Sequence, residues 1–288
     1  MRVPFRLVDV FAEEPFGGNQ LCVVPETPEG LDDATMQALA LEIGFSETTY
    51  VTTVRPDGYD VRIFTPEEEL PFAGHPTLGT AFVLAREGAI GAEAIQRCGA
   101  GDVPVRIDLA KGRATMRQLP PDAGTTVEDR RAVAEAAGLE ETDLVNGLPI
   151  VPVSTGIPHT MVAVRDDDAL RRAVRDDRRC AEVCARADAE SLYLFTIRGP
   201  NDVRARMFDK GSTIGEDSAT GSAAGPLGAY LATHELLETP GSVVIAQGEQ
   251  VGRPSFLHVD VDRDRDGDTW RVDVGGGVRP MGEGAFEL

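Results

Sequence analysis

One pattern constrains this chain more than any other: a segment near residue 70 is echoed near residue 215. The first copy reads Arg62-Ile63-Phe64, then Ala73-Gly74-His75-Pro76, then an apolar small-residue run. The second reads Arg206-Met207-Phe208, then Ala219-Thr220-Gly221-Ser222, then another small-residue run. Each is a strand, a loop, a small-residue turn and a helix. A repeated supersecondary unit predicts two similar domains facing each other across a cleft, the usual home of a small-molecule site. The split is expected near residue 118, before the Pro120-Pro121 turn.

The flanking sequence fits an α+β chain. Phe5 to Phe11, Leu21 to Val24, Glu47 to Val54 and Val61 to Phe64 read as strands. Asp32 to Ile43 reads as a helix capped by Asp32 or Asp33 and ended by Gly44. Pro76 can open a helix running through Leu84. In the second half, Thr125 to Gly138 reads as a helix with Thr125 and Glu128 at capping-box spacing. Ala169 to Arg186 reads as one polar surface helix, and Ser222 to Ala232 as a small-residue helix. Further strands are expected at Ile150–Val153, Met161–Val164, Leu192–Ile197, Val203–Phe208, 243–246, 255–261 and 270–274. Residues 263–268 read as a solvated charged turn.

Charge narrows the partners. The 288 residues carry a formal charge of −20 and only two lysines, Lys111 and Lys210. Such a chain repels phosphate backbones and anionic lipid surfaces, so neither nucleic acid nor membrane is an expected partner. The acidity reads either as a strongly solvated surface or as adaptation to high salt, where screening removes self-repulsion. Stability measured against KCl separates the two: no gain at molar salt excludes the second. Cys22, Cys98, Cys180 and Cys184 lack zinc-site spacing and read as free thiols. No leader or spanning segment is visible in the sequence, and the cytoplasm is the expected compartment.

Two turns at helix starts carry the chemistry: Gly74-His75-Pro76-Thr77 and Thr220-Gly221-Ser222-Ala223. Helix-start amides attract anions, and glycine lets a ligand approach the backbone. The plain alternative is ordinary capping. Glu47 opens a strand otherwise built from β-formers, pointing either to solvent or into a cleft. In a cleft, lost hydration raises a carboxyl pKa from about 4.3 toward neutrality and lets it both take and return a proton. His75, at a helix start where the dipole disfavours imidazolium, suits a neutral hydrogen-bond partner. Asp217, close to the second helix start, could orient a substrate amine or hydroxyl; His159, after Pro158, is a weaker candidate for the same cleft. Dinucleotide, Walker and nucleophile-elbow motifs are missing from the sequence.

Together these segments resemble the PhzF family of isomerases. The resemblance rests on Val8-Asp9-Val10-Phe11 with Pro15-Phe16-Gly17-Gly18-Asn19, on residues 44–51, 62–84 and 215–225, and on Gly248-Glu249-Gln250-Val251-Gly252-Arg253-Pro254-Ser255. It implies two diaminopimelate epimerase-like domains, each a curled sheet around a central helix, with the active site in the interdomain cleft. Domain boundaries are expected at 1–118, with 275–288 returning to it, and at 119–274. It implies a cofactor-free isomerase with Glu47 as proton shuttle and His75, Asp217 and Ser222 assisting. Asn19, Ser46, Gly74, Thr220 and Gly221 would contact a small anionic metabolite, with no metal, in a homodimer. The family's best-known reaction isomerises trans-2,3-dihydro-3-hydroxyanthranilate by moving a proton between ring carbons. Gln20 and Ser218 stand where the family usually has proline, which puts the substrate in doubt. Two rivals remain: a two-base epimerase or racemase, and a binding protein that keeps the fold without turnover.

Overall fold

The computed structural model describes residues 1–211, 215–264 and 266–288; Arg265, inside the charged turn expected at 263–268, lies outside the described residues. The chain divides into two units, Met1–Arg117 with Gly275–Leu288, and Gln118–Val274.

The first unit is a ring of strands around one helix. Arg2–Val10 pairs antiparallel with Asn19–Val24, which runs parallel to Glu47–Arg55. That strand forms a hairpin with Gly58–Phe64, which runs parallel to Glu93–Cys98. Glu93–Cys98, Gly101–Asp108 and Arg113–Arg117 follow as an antiparallel meander. The end of Trp270–Glu287 pairs with both Arg113–Arg117 and Arg2–Val10 and closes the ring. Inside lies Gly74–Arg86, buried at every residue from 74 to 85. An all-round apolar helix needs a complete jacket of sheet, and the ring supplies one. Asp33–Ile43 packs outside; the Asp32 side chain caps it, and Gly44 ends it in a left-handed conformation (φ 68°) that glycine adopts without strain.

The second unit repeats the same order. Val151–Ser154 and Pro158–Ala163 are antiparallel, and the latter runs parallel to Ser191–Gly199. A hairpin leads to Asp202–Asp209, which runs parallel to Gly241–Gln247; that strand pairs antiparallel with Ser255–Arg263. The helix Gly221–Thr233 is buried from 221 to 232. The echoed motifs fall in register. Thr48 faces Phe64 as Leu192 faces Phe208. Arg62 clamps Glu69 through two bonds (2.8 and 2.7 Å) and lies over Phe64; Arg206 clamps Glu216 (2.8 and 2.6 Å) and lies over Phe208.

Both central helices press close to their sheets. A Cβ on Gly79 would come within 2.5 Å of Leu21 Cδ2, and one on Gly228 within 2.6 Å of Val259 Cγ1 and 3.0 Å of Val261 Cγ2. Branched valines cannot swing aside. Gly228→Ala is therefore expected to destabilise by about 1–3 kcal/mol despite alanine's better helix propensity. Urea unfolding checks this; a gain in stability would show that the helix shifts freely.

Two elements differ from the sequence reading. The helix expected from Thr125 begins at Arg130, capped by the Asp129 carboxylate rather than by Thr125. Residues 125–128 have no regular structure, and Val127 N–H donates to the Ile150 carbonyl (2.7 Å) in place of a helical partner. The single helix expected over 169–186 is two, Asp167–Arg172 and Asp177–Ala187. Arg206 breaks it: its Nη1 donates to the carbonyls of Leu170 (2.9 Å) and Ala173 (2.7 Å), terminating the first helix, and Asp176 caps the second. The second helix is no bare surface element, since Cys180, Val183 and Cys184 sit in the core. No helix among the described residues is long and apolar enough to cross a membrane.

Candidate active site

In the first unit, the end of one loop, a strand start and a helix start converge. Glu47 is the first residue of its strand, and its side chain is 15% exposed. His75 is the second residue of the central helix and is 4% exposed. His75 Nε2 lies 3.2 Å from Glu47 Oε2 and 3.3 Å from the Gln20 carbonyl. A carbonyl only accepts, so Nε2 carries the hydrogen. Burial takes the His75 pKa from 6.5 down to about 3, with the Gln20 bond opposing. At neutral pH the ring is uncharged, so its 3.2 Å approach to Glu47 is no ion pair, and its one Nε2 hydrogen goes to the Gln20 carbonyl. Asn19 and Ser46 adjoin this pair, Ser46 Oγ donating to Asn19 Oδ1 (2.9 Å). Gly74 opens the helix.

In the second unit, Thr220 precedes the helix and its hydroxyl donates to Asp217 Oδ2 (2.7 Å). Gln247 ties the loop down. Its Nε2 donates to the Asp217 carbonyl and Thr220 Oγ1 (both 2.9 Å), while Oε1 accepts from Tyr193 (2.9 Å) and from Thr220 N–H (3.3 Å). Gly221 and Ser222 are the first two helical residues. Ser222 Oγ lies 3.0 Å from His159 Nε2, and His159 Nδ1 lies 2.8 Å from Ser191 Oγ. Burial takes the His159 pKa down to about 4, opposed by Asp209.

The two helix starts share a further property. The helices beginning at Asp33, Arg130, Asp167 and Asp177 are each capped by an aspartate side chain. The helices beginning at Gly74 and Gly221 have no side-chain cap bond. Their first amides thus keep the donor character that binds an anion. Neither thiol of the first unit offers a competing base: burial pushes Cys22 up to about 12 and raises Cys98.

The chain matches the family described as phenazine biosynthesis-like protein over residues 8–284. It belongs to the PhzC-PhzF family. It is 33% identical over 283 residues to the Escherichia coli isomerase YddE, covering 93% of each chain. It is 33% identical to the trans-2,3-dihydro-3-hydroxyanthranilate isomerase of Pseudomonas fluorescens, covering 98% of each. Among solved structures, it superposes on a Bacillus anthracis PhzF-family protein with a TM-score of 0.88 at 25% identity and full coverage of both chains. A proline racemase from Agrobacterium radiobacter shares the fold at a TM-score of 0.70 and 11% identity, covering 99% of this chain and 93% of that one. PhzF proteins and racemases of this kind thus share the chain's α+β architecture.

The structure brings Glu47, His75, Asn19, Ser46 and Gly74 together in one unit, and Asp217, Thr220, Gly221 and Ser222 together in the other. Sequence reasoning missed Ser191, Tyr193 and Gln247. Gln247 left a signal: it continues the inward-facing alternation of Val243 and Ile245, where a polar side chain must have buried partners.

The two buried imidazoles fix a pH dependence. Each has a folded pKa below its unfolded value near 6.5, so the unfolded chain takes up protons first as pH falls. Their contribution is complete above about pH 6.5 and is lost progressively toward pH 4 for His159 and pH 3 for His75. Each loses up to about 1.4 kcal/mol per pH unit in that window. Urea midpoints are expected to fall between pH 7 and 5, less steeply in His159→Gln. A flat profile would show that the rings protonate freely in the folded state.

Proposed function

We propose that this PhzF-family protein is a cofactor-independent isomerase that relocates a proton within a small conjugated carboxylate, with Glu47 as its single acid/base. The contact between Glu47 and His75 carries this reading. The neutral His75 ring, whose Nε2–H is taken by the Gln20 carbonyl, lies 3.2 Å from Glu47 Oε2 and so lines the carboxylate with a polar but uncharged neighbour. The Glu47 carboxylate takes a proton from a substrate carbon and returns it to another. The substrate's own conjugation spreads the negative charge between the two steps. In the unit that carries Glu47, the uncapped amides at Gly74 are suited to an anionic group and Asn19 and Ser46 border the acid/base; in the other, Gly221 and Ser222 offer a second helix start to an anion, with Asp217 and Thr220 suited to a polar substituent.

A two-base racemase needs an acid and a base on opposite faces of the reacting carbon. The equivalent helix positions hold a histidine whose Nε2 is already a donor and a serine, a combination suited to binding rather than stereo-inversion. A non-catalytic binder has no use for a buried carboxylate–imidazole pair. The trans-2,3-dihydro-3-hydroxyanthranilate named for the Pseudomonas relatives is the first substrate to test. Protein dialysed against chelator, with nothing added, is expected to convert it, seen by ¹H NMR. Conversion that needs an added metal or organic cofactor would defeat the proposal.

A further inference from the structure

Strand register shows which residues of the two units correspond. Glu47 and Ser191 each open a strand that runs parallel to the one before it, one residue before the partner of Phe64 or Phe208. Leu21 is the parallel partner of Glu47, and His159 is the parallel partner of Ser191. His75 and Ser222 are each second in the central helix. In the first unit Glu47 and His75 touch directly, and Leu21 is an apolar core residue. In the second unit the corresponding side chains are two short serines, and the ring of His159 bridges them at 2.8 and 3.0 Å. Ser191, His159 and Ser222 are 0%, 2% and 8% exposed.

The fold does not require an imidazole there. Leu21 shows that the same position takes a packed aliphatic side chain, which avoids the desolvation a buried polar ring carries. A buried polar chain ending on a helix-start hydroxyl has a use when that hydroxyl must be aimed.

We propose that His159 is a positioning residue that acts through Ser222: its Nε2–H donates to Ser222 Oγ, its Nδ1 accepts from Ser191, and the Ser222 O–H is thereby turned toward an anionic group of the substrate. This rests on the reading that Ser222 contacts substrate. The opposite tautomer would make Ser222 donate inward and present only lone pairs, which repel a carboxylate. In this arrangement Ser191 spends its O–H on Nδ1, and the uncapped amides of Gly221 and Ser222 add to a donor cluster of one sign.

The experiment is a double-mutant cycle joined to a tautomer measurement on the full chain. With trans-2,3-dihydro-3-hydroxyanthranilate, His159→Leu is expected to raise KM about tenfold, the loss of one hydrogen bond to a charged group, with kcat little changed. His159→Gln, which keeps an N–H donor, recovers most of that loss. Ser222→Ala costs as much as His159→Leu, and the double variant costs no more than either. Additive losses, or a His159→Leu enzyme with wild-type KM, would overturn the role. ¹⁵N NMR of labelled histidine is expected to show His159 as the Nε2–H tautomer, converting to a mixture in Ser191→Ala. An Nδ1–H tautomer in the wild type overturns the proposal. A wild type inert toward this compound counts against the substrate reading alone, and the tautomer then decides His159.

Discussion

Glu47→Gln is expected to leave a well-folded protein whose kcat is lower by about 10³-fold. The amide is isosteric, so the side chain still fits beside His75, whose Nε2–H keeps the Gln20 carbonyl as its acceptor. What disappears is the ability to hold and return a proton, worth about 10²–10⁴-fold where one group does both tasks. KM should move little, because in this account the anion is held by helix amides and Ser222. Circular dichroism and thermal midpoint close to wild type establish that the loss is chemical. Turnover retained within a few-fold would remove Glu47 from the mechanism. His75→Leu should lower activity less, since it replaces the polar neighbour of the carboxylate without removing the base.

Arg206→Met is expected to destabilise the second unit by about 3–5 kcal/mol, the usual consequence of removing one partner of a buried, hydrogen-bonded ion pair. Its side chain is 7% exposed, clamps Glu216 and satisfies the terminal carbonyls of the helix Asp167–Arg172. Without it, a half-buried carboxylate and several backbone acceptors lose their donor together. Arg62 is the internal control. It makes the same clamp on Glu69, but its side chain is 28% exposed and it terminates no helix. Arg62→Met should cost about 1 kcal/mol or less, as partly solvated pairs do. Urea unfolding of both variants gives the comparison; equal losses would mean that the helix-ending contacts of Arg206 contribute nothing.

Most of the architecture was legible because it is written locally and twice. Asp32 and Gly44 bracket a helix whose ends need no distant partner. The Arg-x-Phe strands followed by small-residue turns repeat, and their repetition pointed to paired units before any register was known. What escaped detection depends on partners far along the chain. Thr125 with Glu128 read as a capping box, but Asp129 is the cap, and the Val127–Ile150 backbone bond draws the preceding residues away from the helix. The break between Arg172 and Asp177 is imposed by Arg206, some thirty residues downstream.

The candidate site divides in the same way. Glu47 and His75 stood out because a carboxylate opening a β-rich strand and an imidazole opening an apolar helix each break the local pattern. Their contact is 28 residues apart in sequence and visible only in the fold. His159 was a weak candidate because nothing near it in sequence says that its ring lies between Ser191 and Ser222, 32 and 63 residues away.

The fate of the migrating hydrogen tests the single-base account most directly. Substrate deuterated at the carbon that loses its proton is converted in ordinary water, and the product is read by mass spectrometry and NMR. One shielded carboxylic acid that collects and returns the same hydrogen predicts measurable deuterium at the new carbon. Complete replacement by solvent hydrogen at every extent of conversion would contradict it, and would point instead to separate groups removing and delivering the proton.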